Sequence, residues 1–403
     1  MNILEEIQNC PVEWKELGDK NVAKLSRGKV MSKQFLEENK GEYPVYSSQT
    51  ANNGEIGRIS SFEYDGEYIT WTTDGANAGT VFYRKGKFSI TNVCGLVEIN
   101  SDQLLTKFVY YYLTISTKKY VSSGMGNPKL MSNVMGKIKI PILPLEIQEK
   151  IVQILDKFTE YVTELTSELT SELTSRKKQY SFYRDKLLSF EDEVYQVEWK
   201  TLREVCDVRD GTHDSPNKKA FGKYLITSKN VKNGSINFDS AYFISESDFD
   251  NINKRSKVDI DDLLFTMIGT VGEVAHITEE PDFAIKNVGL IKTQSRILAR
   301  YLLHYLQSTY AKDYILSNSS KGSQVFLGLG KLRNFPIPYV EPKIQSRIVQ
   351  VLDNFDMVCN DLNIGLPKEI ELRQKQYEYF REKLLTFTAE GVYTDSTVQT
   401  RPH

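Results

Sequence analysis

The chain states one pattern twice, and that duplication restricts it to a two-part architecture. Val12-Glu13-Trp14-Lys15 returns as Val197-Glu198-Trp199-Lys200, an offset of 185. Ile151-Val152-Gln153-Ile154-Leu155-Asp156 returns as Ile348-Val349-Gln350-Val351-Leu352-Asp353, an offset of 197. Arg176-Lys177-Lys178-Gln179-Tyr180 returns as Arg373-Gln374-Lys375-Gln376-Tyr377 at the same 197. The offset grows by 12 through each front half and then holds. A constant back half implies a rigid scaffold, and a drifting front half implies two different readers mounted on it. Two copies are too few for a solenoid, so a pseudo-two-fold molecule is expected.

Four blocks follow from composition and periodicity. Residues 11–140 and 191–335 are rich in Gly, Ser, Thr, Asn and Tyr with short alternating apolar runs, whereas 141–190 and 336–388 are strongly helical. In the first block Tyr68-Ile69-Thr70-Trp71 and Thr80-Val81-Phe82-Tyr83 read as strands, with Gly75 and Gly79 between them and a turn at Arg84-Lys85-Gly86-Lys87. The second block repeats this layout with Leu263-Leu264-Phe265-Thr266, Gly269, Gly272 and Phe283-Ala284-Ile285. A short helix closes each block, near Leu105–Lys119 and Ile297–Ser308. The fold class is therefore α+β: two similar domains of mixed sheet and short helices, separated by two long helices paired as an antiparallel coiled coil. Residues 389–403 read as a disordered polar tail.

Pro141, Pro144, Pro336, Pro338 and Pro342 are expected to mark the starts of the long helices. Ile147, Ile151, Ile154, Phe158, Tyr161 and Leu165 step by fours and threes as a heptad seam, continued at intervals of four by Leu169 and Leu173 in a doubled Thr-Ser-Glu-Leu. Ile344, Ile348, Val351, Phe355 and Val358 keep the early spacing in the second copy, where Gly365 and Pro367 should weaken or kink the helix. A seam of this kind is also what an ordinary core looks like.

The exclusions are as useful as the matches. No Gly-x-x-x-x-Gly-Lys-Ser/Thr loop is present, and Gly328-Leu329-Gly330-Lys331 lacks its spacing. The Asn/Asp-Pro-Pro-aromatic signature of amino-methyltransferases is absent, and Asn127-Pro128-Lys129 does not replace it. His213, His276, His304 and His403 show no ligand or triad spacing, and His304 reads as structural. Four scattered cysteines, no apolar run of membrane length and a non-hydrophobic start fit a cytoplasmic protein with reduced thiols. Net charge is −2, but residues 11–140 carry +4 and residues 191–340 carry −1. A nucleic-acid binder of this balance must cluster its cations on one face or borrow a partner's grip.

Candidate readers are polar loops flexed by glycine. In the first block they are Ser47, Ser48, Gln49, Asn52, Asn53, Arg58, Thr72, Thr73, Asn77, Asn127 and Lys129. In the second they are Thr212, His213, Ser215, Lys218, Lys219, Lys229, Asn230, Lys321, Ser323 and Gln324. Asn, Gln, Lys and Arg are the side chains that read base edges in the major groove, although a solvated turn has the same composition.

Assembled in this order, the parts resemble the DNA specificity subunit of a type I restriction–modification system. The resemblance spans residues 11–388. It rests on the Trp14 and Trp199 segments, on Ile140-Pro141-Ile142-Leu143-Pro144-Leu145-Glu146-Ile147-Gln148 and Phe335-Pro336-Ile337-Pro338, and on helix ends such as Tyr183-Arg184-Asp185-Lys186-Leu187-Leu188 and Phe380-Arg381-Glu382-Lys383-Leu384-Leu385. It implies two target-recognition domains, 11–140 and 191–335, each reading half of a bipartite asymmetric site in double-stranded DNA. It also implies helical spacers, 141–190 and 336–388, that dock two methyltransferase subunits and, through them, restriction and motor subunits. The spacer and docking candidates are Leu145, Gln148, Ile151, Phe158, Leu165, Leu169, Leu173, Tyr180, Ile344, Gln345, Ile348, Phe355 and Tyr377. The resemblance implies no catalysis and no cofactor or metal on this chain, with S-adenosylmethionine, ATP and Mg on the partners. No membrane association is implied. The competing reading is a non-catalytic coiled-coil scaffold whose β-rich domains bind protein or glycan.

Overall fold

A computed structural model describes residues 3–122, 127–190, 196–232, 234–320, 322, 324–360 and 365–386. The polar tail expected at 389–403 lies outside the described residues. The chain divides into two compact units. One holds the residues up to Leu165 together with those from Leu372, and the other is Thr166–Glu371.

The first unit begins with α1 (Ile3–Asn9) and β1 (Glu13–Glu16). Then come β2 (Ala23–Arg27), α2 (Lys33–Glu38), β3 (Lys40–Tyr46), β4 (Glu55–Ile59), β5 (Tyr64–Thr72), β6 (Val81–Ile90) and β7 (Cys94–Ile99). These six strands form one sheet in the order β2-β7-β5-β6-β3-β4. Next follow α3 (Thr106–Ser116), α4 (Ser132–Met135) and β8 (Lys139–Ile142), which pairs with β1, and the 45-residue α5 (Leu145–Ser189) begins. One core joins Ile69 and Trp71 of the sheet, Phe108 and Leu113 of α3, and Ile151 and Leu155 of α5, together with Leu384 and Leu385. Burying apolar side chains of this size stabilises by roughly 1.5–3 kcal/mol each, so α3 and the start of α5 are fixed to the sheet.

The second unit repeats the plan. It contains β9 (Glu198–Thr201), α6 (Leu202–Val205), β10 (Asp207–Asp210), β11 (Lys223–Ile226), the hairpin of β12 (Val231–Lys232) and β13 (Ser235–Ile236), β14 (Tyr242–Ile244) and α7 (Glu246–Ser256). β15 (Leu263–Thr266), β16 (Val274–His276), β17 (Phe283–Ile285), β18 (Val288–Lys292), α8 (Arg296–Leu306), α9 (Thr309–Asn318), α10 (Leu329–Arg333), β19 (Pro336–Tyr339) and α11 (Pro342–Asn360) follow, and α12 (Leu366–Leu385) starts in this unit and ends in the first. Its sheets run β10-β18-β15-β16 and β14-β11-β17. That is the order of the first unit with β6 cut in two. The parallel pairing Tyr46↔Ile90 of β3 and β6 returns as Ile226↔Ile285 of β11 and β17.

Three expectations are corrected and one is borne out. Arg84-Lys85-Gly86-Lys87 is no turn but the middle of β6, paired with Tyr68, Glu67, Gly66 and Asp65. Gly66 and Gly86 face one another at φ 139° and 92°, a local kink through which both strands continue. Pro141, Pro336 and Pro338 do not start helices; they lie in the two-stranded ribbons, where Pro141 faces Trp14 and Pro338 faces Trp199. A two-stranded ribbon is all edge, so a residue without an N–H leaves no ladder bond unmade. The weakening expected at Gly365 and Pro367 is seen at Gly365, which lies outside any helix: α11 ends at Asn360 and α12 begins at Leu366, placing Pro367 in a first turn where its missing N–H costs nothing. Finally, the seam drifts from a strict heptad. Tyr161, Val351 and Val358 are exposed, while Leu155, Leu352 and Cys359 are buried, as a straight 3.6-residue helix requires.

Candidate nucleic-acid interface

In the first unit the sheet delivers several predicted reader loops to one place. Asn77 Nδ2 donates to Thr50 Oγ1 at 2.9 Å, linking the loop after β3 to the loop after β5. Thr91 Oγ1 donates to Ser47 Oγ at 2.9 Å, adding the turn after β6. Gly75 N donates to Pro128 O at 3.0 Å and Leu130 N to Thr73 O at 2.8 Å, which ties in the segment carrying Asn127 and Lys129. Ser48, Gln49, Asn52, Asn53, Asn77, Asn127 and Lys129 keep solvent exposure there, and Gln49 Nε2 donates to Glu55 O at 2.6 Å. Asn52 and Asn53 both take left-handed backbone, φ 50° and 53°, which asparagine tolerates better than most residues.

Beneath that turn lies Arg84, expected from the sequence to open a turn. It is 3% exposed. Its Nη2 donates to Asn53 O at 2.8 Å, its Nε to Thr70 Oγ1 at 3.0 Å, and its guanidinium lies 3.5 Å from the centre of the Tyr46 ring. Burial pulls its pKa down from the usual arginine value, with nearby Tyr46 opposing. A buried cation held by neutral oxygens and an aromatic face works as a rigid post under the asparagine turn. Alternation along β6 was the available signal, because Arg84 falls on the same face as Phe88 and Ile90, both buried.

Other candidates sit elsewhere. Thr72 and Thr73 are buried; Thr73 Oγ1 donates to Val93 O at 2.8 Å, whereas Thr72 ties the loop through its backbone, its N donating to Thr80 O and its O accepting from Gly79 N, both at 2.9 Å. Arg58 is paired with Glu55 at 2.9 Å and donates to Glu42 O along the edge strand β4, which neutralises it.

The second unit builds the matching cluster from different residues. Asn287 N donates to Thr212 O as Asn92 N does to Lys29 O, and Lys286 N to Ile226 O as Thr91 N does to Tyr46 O. Gly28 and Gly211 are equivalent here, for a Cβ on either would collide with the Ile90 or Ile285 carbonyl. His213 is held by Asn287 Oδ1 at 2.7 Å and Asp210 Oδ2 at 3.0 Å, and Lys286 Nζ reaches Ser215 Oγ. Thr212, His213, Ser215 and Lys229 thus gather at the ends of β10, β11 and β17. Asn230 does not join them at the surface. It is 1% exposed, and its Oδ1 accepts from Thr227 N while its Nδ2 donates to Asn237 O, a turn lock. Lys218 and Lys219 lie at the outer margin beside β14, with Lys218 over the Tyr242 ring. Gln324 is exposed next to Val325, whose O accepts from Gly269 N, the counterpart of the Gly75–Pro128 bond. Lys321 and Ser323 lie outside the described residues.

The described histidines are each paired with a carboxylate, a partnership that sequence spacing did not reveal. His276 Nε2 meets Asp261 at 3.0 Å, and His304 meets Asp353 at 2.7 Å and Tyr180 at 2.8 Å. Burial lowers the pKa of both rings. His304 is fully enclosed and acts as a structural joint, as expected. Among the described residues no helix is long and apolar enough to cross a membrane.

The model of the type I restriction modification DNA specificity domain matches residues 11–175 and again 196–372. The chain belongs to that specificity-subunit family. A protein of Mycoplasma pneumoniae described as a type I specificity subunit is 32% identical over 378 residues, covering 91% of this chain and 95% of the other. A second from the same organism is 34% identical over 348 residues, covering 82% and 97%. A solved chain from work on assembly and conformational transition of the type I system shares the fold at a TM-score of 0.63 and 15% identity, covering 94% of this chain and 98% of that one. The specificity subunit is the non-catalytic DNA-recognition component of the system.

Of the spacer and docking candidates, Gln148, Ile151, Tyr180, Gln345 and Ile348 are buried and serve the specificity subunit's own packing. Gln148 Nε2 donates to Leu143 O and Gln103 O, both at 2.7 Å, and Gln345 Nε2 to Val340 O at 2.8 Å. Leu145 is exposed, and Phe158, Leu165, Leu169, Leu173, Ile344, Phe355 and Tyr377 are half-buried.

Proposed function

We propose that each unit reads one half of a bipartite, asymmetric duplex DNA target. On this reading residues 11–140 and 191–335 are the target-recognition domains, and 141–190 and 336–388 set their spacing. The helices also dock two methyltransferase subunits, which bring S-adenosylmethionine and adenine methylation, and through them the ATP- and Mg-dependent restriction and motor subunits. The observation that carries this reading is one loop-bearing frame built twice with different loop residues: Asn52, Asn53 and Lys129 in one, His213, Ser215 and Gln324 in the other. Unequal readers on equal frames select unequal half-sites, unlike the palindromes of true homodimers.

Genome-wide adenine-methylation mapping with and without the gene tests the proposal. A two-part motif should vanish with the gene, and a motif that persists overturns the reading. Deleting Thr170–Leu173 removes one four-residue repeat, about 6 Å of helix, close to two base-pair steps at roughly 3.4 Å each. The mapped spacer should shorten while both half-sites stay the same. Altered half-sites around an intact spacer would sink the measuring role of the helix.

A further inference from the structure

In the second unit a cavity of about 430 Å³ opens at the starts of β11 and β17, the ends away from Lys229, Lys286 and Asn287. Its volume lies in the range of small-ligand sites, roughly 300–1,000 Å³. Tyr224, Phe238 and Phe283 wall it, with ring centres 5.2 Å apart for Tyr224 and Phe238 and 6.0 Å apart for Phe238 and Phe283. Glu279, Glu280 and Asp282 stand exposed on its rim. Asp282 holds Lys223 Nζ at 2.6 Å, whereas Glu279 and Glu280 form no ion pair among the described residues. No lysine or arginine belongs to the lining, Lys223 and the hairpin residue Lys232 included. His276 is buried there, its side chain 2% exposed. Its Nε2 meets Asp261 at 3.0 Å, and its Nδ1 has no hydrogen-bond partner among the described residues. Burial lowers the pKa of this ring, and a neutral ring that donates from Nε2 leaves Nδ1 as an acceptor.

An acidic turn is ordinarily just a solvated surface, and the rim alone would carry no more than that. A solvated turn, however, needs neither aromatic walls nor a buried nitrogen without a partner, since an unmet polar atom inside a protein is destabilising. Nor does the frame require the cavity. Val81 of β6 faces Trp71 and Val274 of β16 faces Phe265, while Trp71 and Phe265 face Gly95 and Gly289 on their other sides. Phe88 lies 7 residues beyond the first valine and Phe283 lies 9 beyond the second. The second unit therefore inserts two residues where β6 of the first runs through unbroken. An acidic rim repels phosphate, aromatic faces attract a cation, and a buried acceptor calls for an N–H. We propose that this cavity binds an organic cation with N–H donors on a slender apolar stem, a primary ammonium or a guanidinium. The aromatic walls take the stem, the rim carboxylates the charge, and His276 Nδ1 accepts one N–H. Such a group arrives as a free aliphatic amine or as a lysine or arginine side chain of a partner subunit.

The probe is agmatine, which carries both cationic groups on an alkyl stem, titrated calorimetrically into the full chain without DNA. Saturable binding of one agmatine per chain is expected. Butylurea, neutral and of similar shape, should bind at least about ten-fold more weakly. Tetramethylammonium, a cation without N–H, should also bind more weakly, and equal affinity would remove the role given to His276. The surface pair Glu279→Gln with Glu280→Gln should weaken agmatine about ten-fold while leaving the melting temperature in place. Absence of saturable binding overturns the site. Equal weakening by Glu37→Gln with Glu38→Gln on α2 of the first unit also overturns it, because that marks attraction to acidic residues at large. Repeating the titration on the chain assembled with its methyltransferase partner separates the two sources. Retained binding assigns the cavity to a free amine, and binding lost on assembly assigns it to a basic side chain of that partner. No DNA is present, so the result stands or falls apart from the reading of half-sites.

Discussion

The same carboxylate is held by different side chains in the two units. Asp156 of α5 accepts from Lys107 Nζ at 2.7 Å and Tyr111 OH at 2.6 Å. Asp353 of α11, 197 residues later, accepts from Arg300 Nη2 and His304 Nε2, both at 2.7 Å. Lys107 and Arg300 stand 193 apart, as do Tyr111 and His304, one turn on along α3 and α8. The next layer also matches. Thr159 meets Tyr377 at 3.0 Å in the first unit, and His304 meets Tyr180 at 2.8 Å in the second, with Tyr180 and Tyr377 again 197 apart. Phe158 stacks on Phe380 at 5.6 Å, and their counterparts Phe355 and Tyr183 stack at 5.5 Å. The frame preserves positions while tolerating changes of residue, provided a donor still reaches the helix carboxylate. The second grip is the more enclosed and more charged, since Arg300 also reaches Asp356 at 2.9 Å.

Removing the carboxylate should therefore cost the second unit more. Asp353→Ala leaves the fully buried His304 and the largely buried Arg300 short of a partner, and about 3 kcal/mol of stability should be lost. Asp156→Ala exposes a lysine already reached by water and leaves Tyr111 beside Thr159, so about 1 kcal/mol is expected. Urea unfolding of both variants measures the difference, and equal losses would break the comparison. The buried glutamines reverse the ranking. Among the described residues the Gln148 side chain makes three bonds, since its Oε1 also accepts from Leu105 N at 2.9 Å, whereas that of Gln345 makes one, to Val340 O. Gln148→Met should cost about 2 kcal/mol and Gln345→Met about 1 kcal/mol. A larger loss for Gln345→Met would show that its surroundings hide further partners.

The frame was legible in the sequence because repetition marks it twice, and both Asp156 and Asp353 lie inside the repeated segment. Their partners were not legible. Lys107 and Tyr111 lie 45–49 residues from Asp156 on another helix, and nothing local in a Lys-Phe-Val-Tyr-Tyr run announces a contact with it. The loops divide in the same way. Asn52 and Asn230 are both asparagines in polar turns, yet one faces solvent and the other locks its turn from inside. Composition cannot separate them, because a polar side chain is equally content with water or with backbone partners. Tyr161 was misplaced for a different reason: a seven-residue repeat read over many turns drifts from the true face of a straight helix.

Acid sharpens the comparison by the smallest margin. Every described histidine lies in the second unit, and His304 faces Asp353, Asp356 and Arg300 together with Tyr180 and its neighbour Arg184. Burial holds its folded pKa below the ordinary 6.5, with Asp353 pulling the other way, and burial lowers His276 similarly beside Asp261. Below about pH 6.5 the unfolded chain takes up protons that these rings refuse, so stability is complete above that pH and falls as pH drops through it. One such proton contributes at most about 1.4 kcal/mol per pH unit. Asp353 acts in a separate, lower window. Burial alone would raise its pKa, but His304 and Arg300 hold it below 3.8, so its share is lost only in stronger acid. Hydrogen exchange at pH 7.0 and 5.5, corrected for intrinsic rates, should show protection falling in α8 while α3, which has Tyr111 in place of His304, changes less. Equal loss in the two helices would mean that the histidine is not what separates the units in acid.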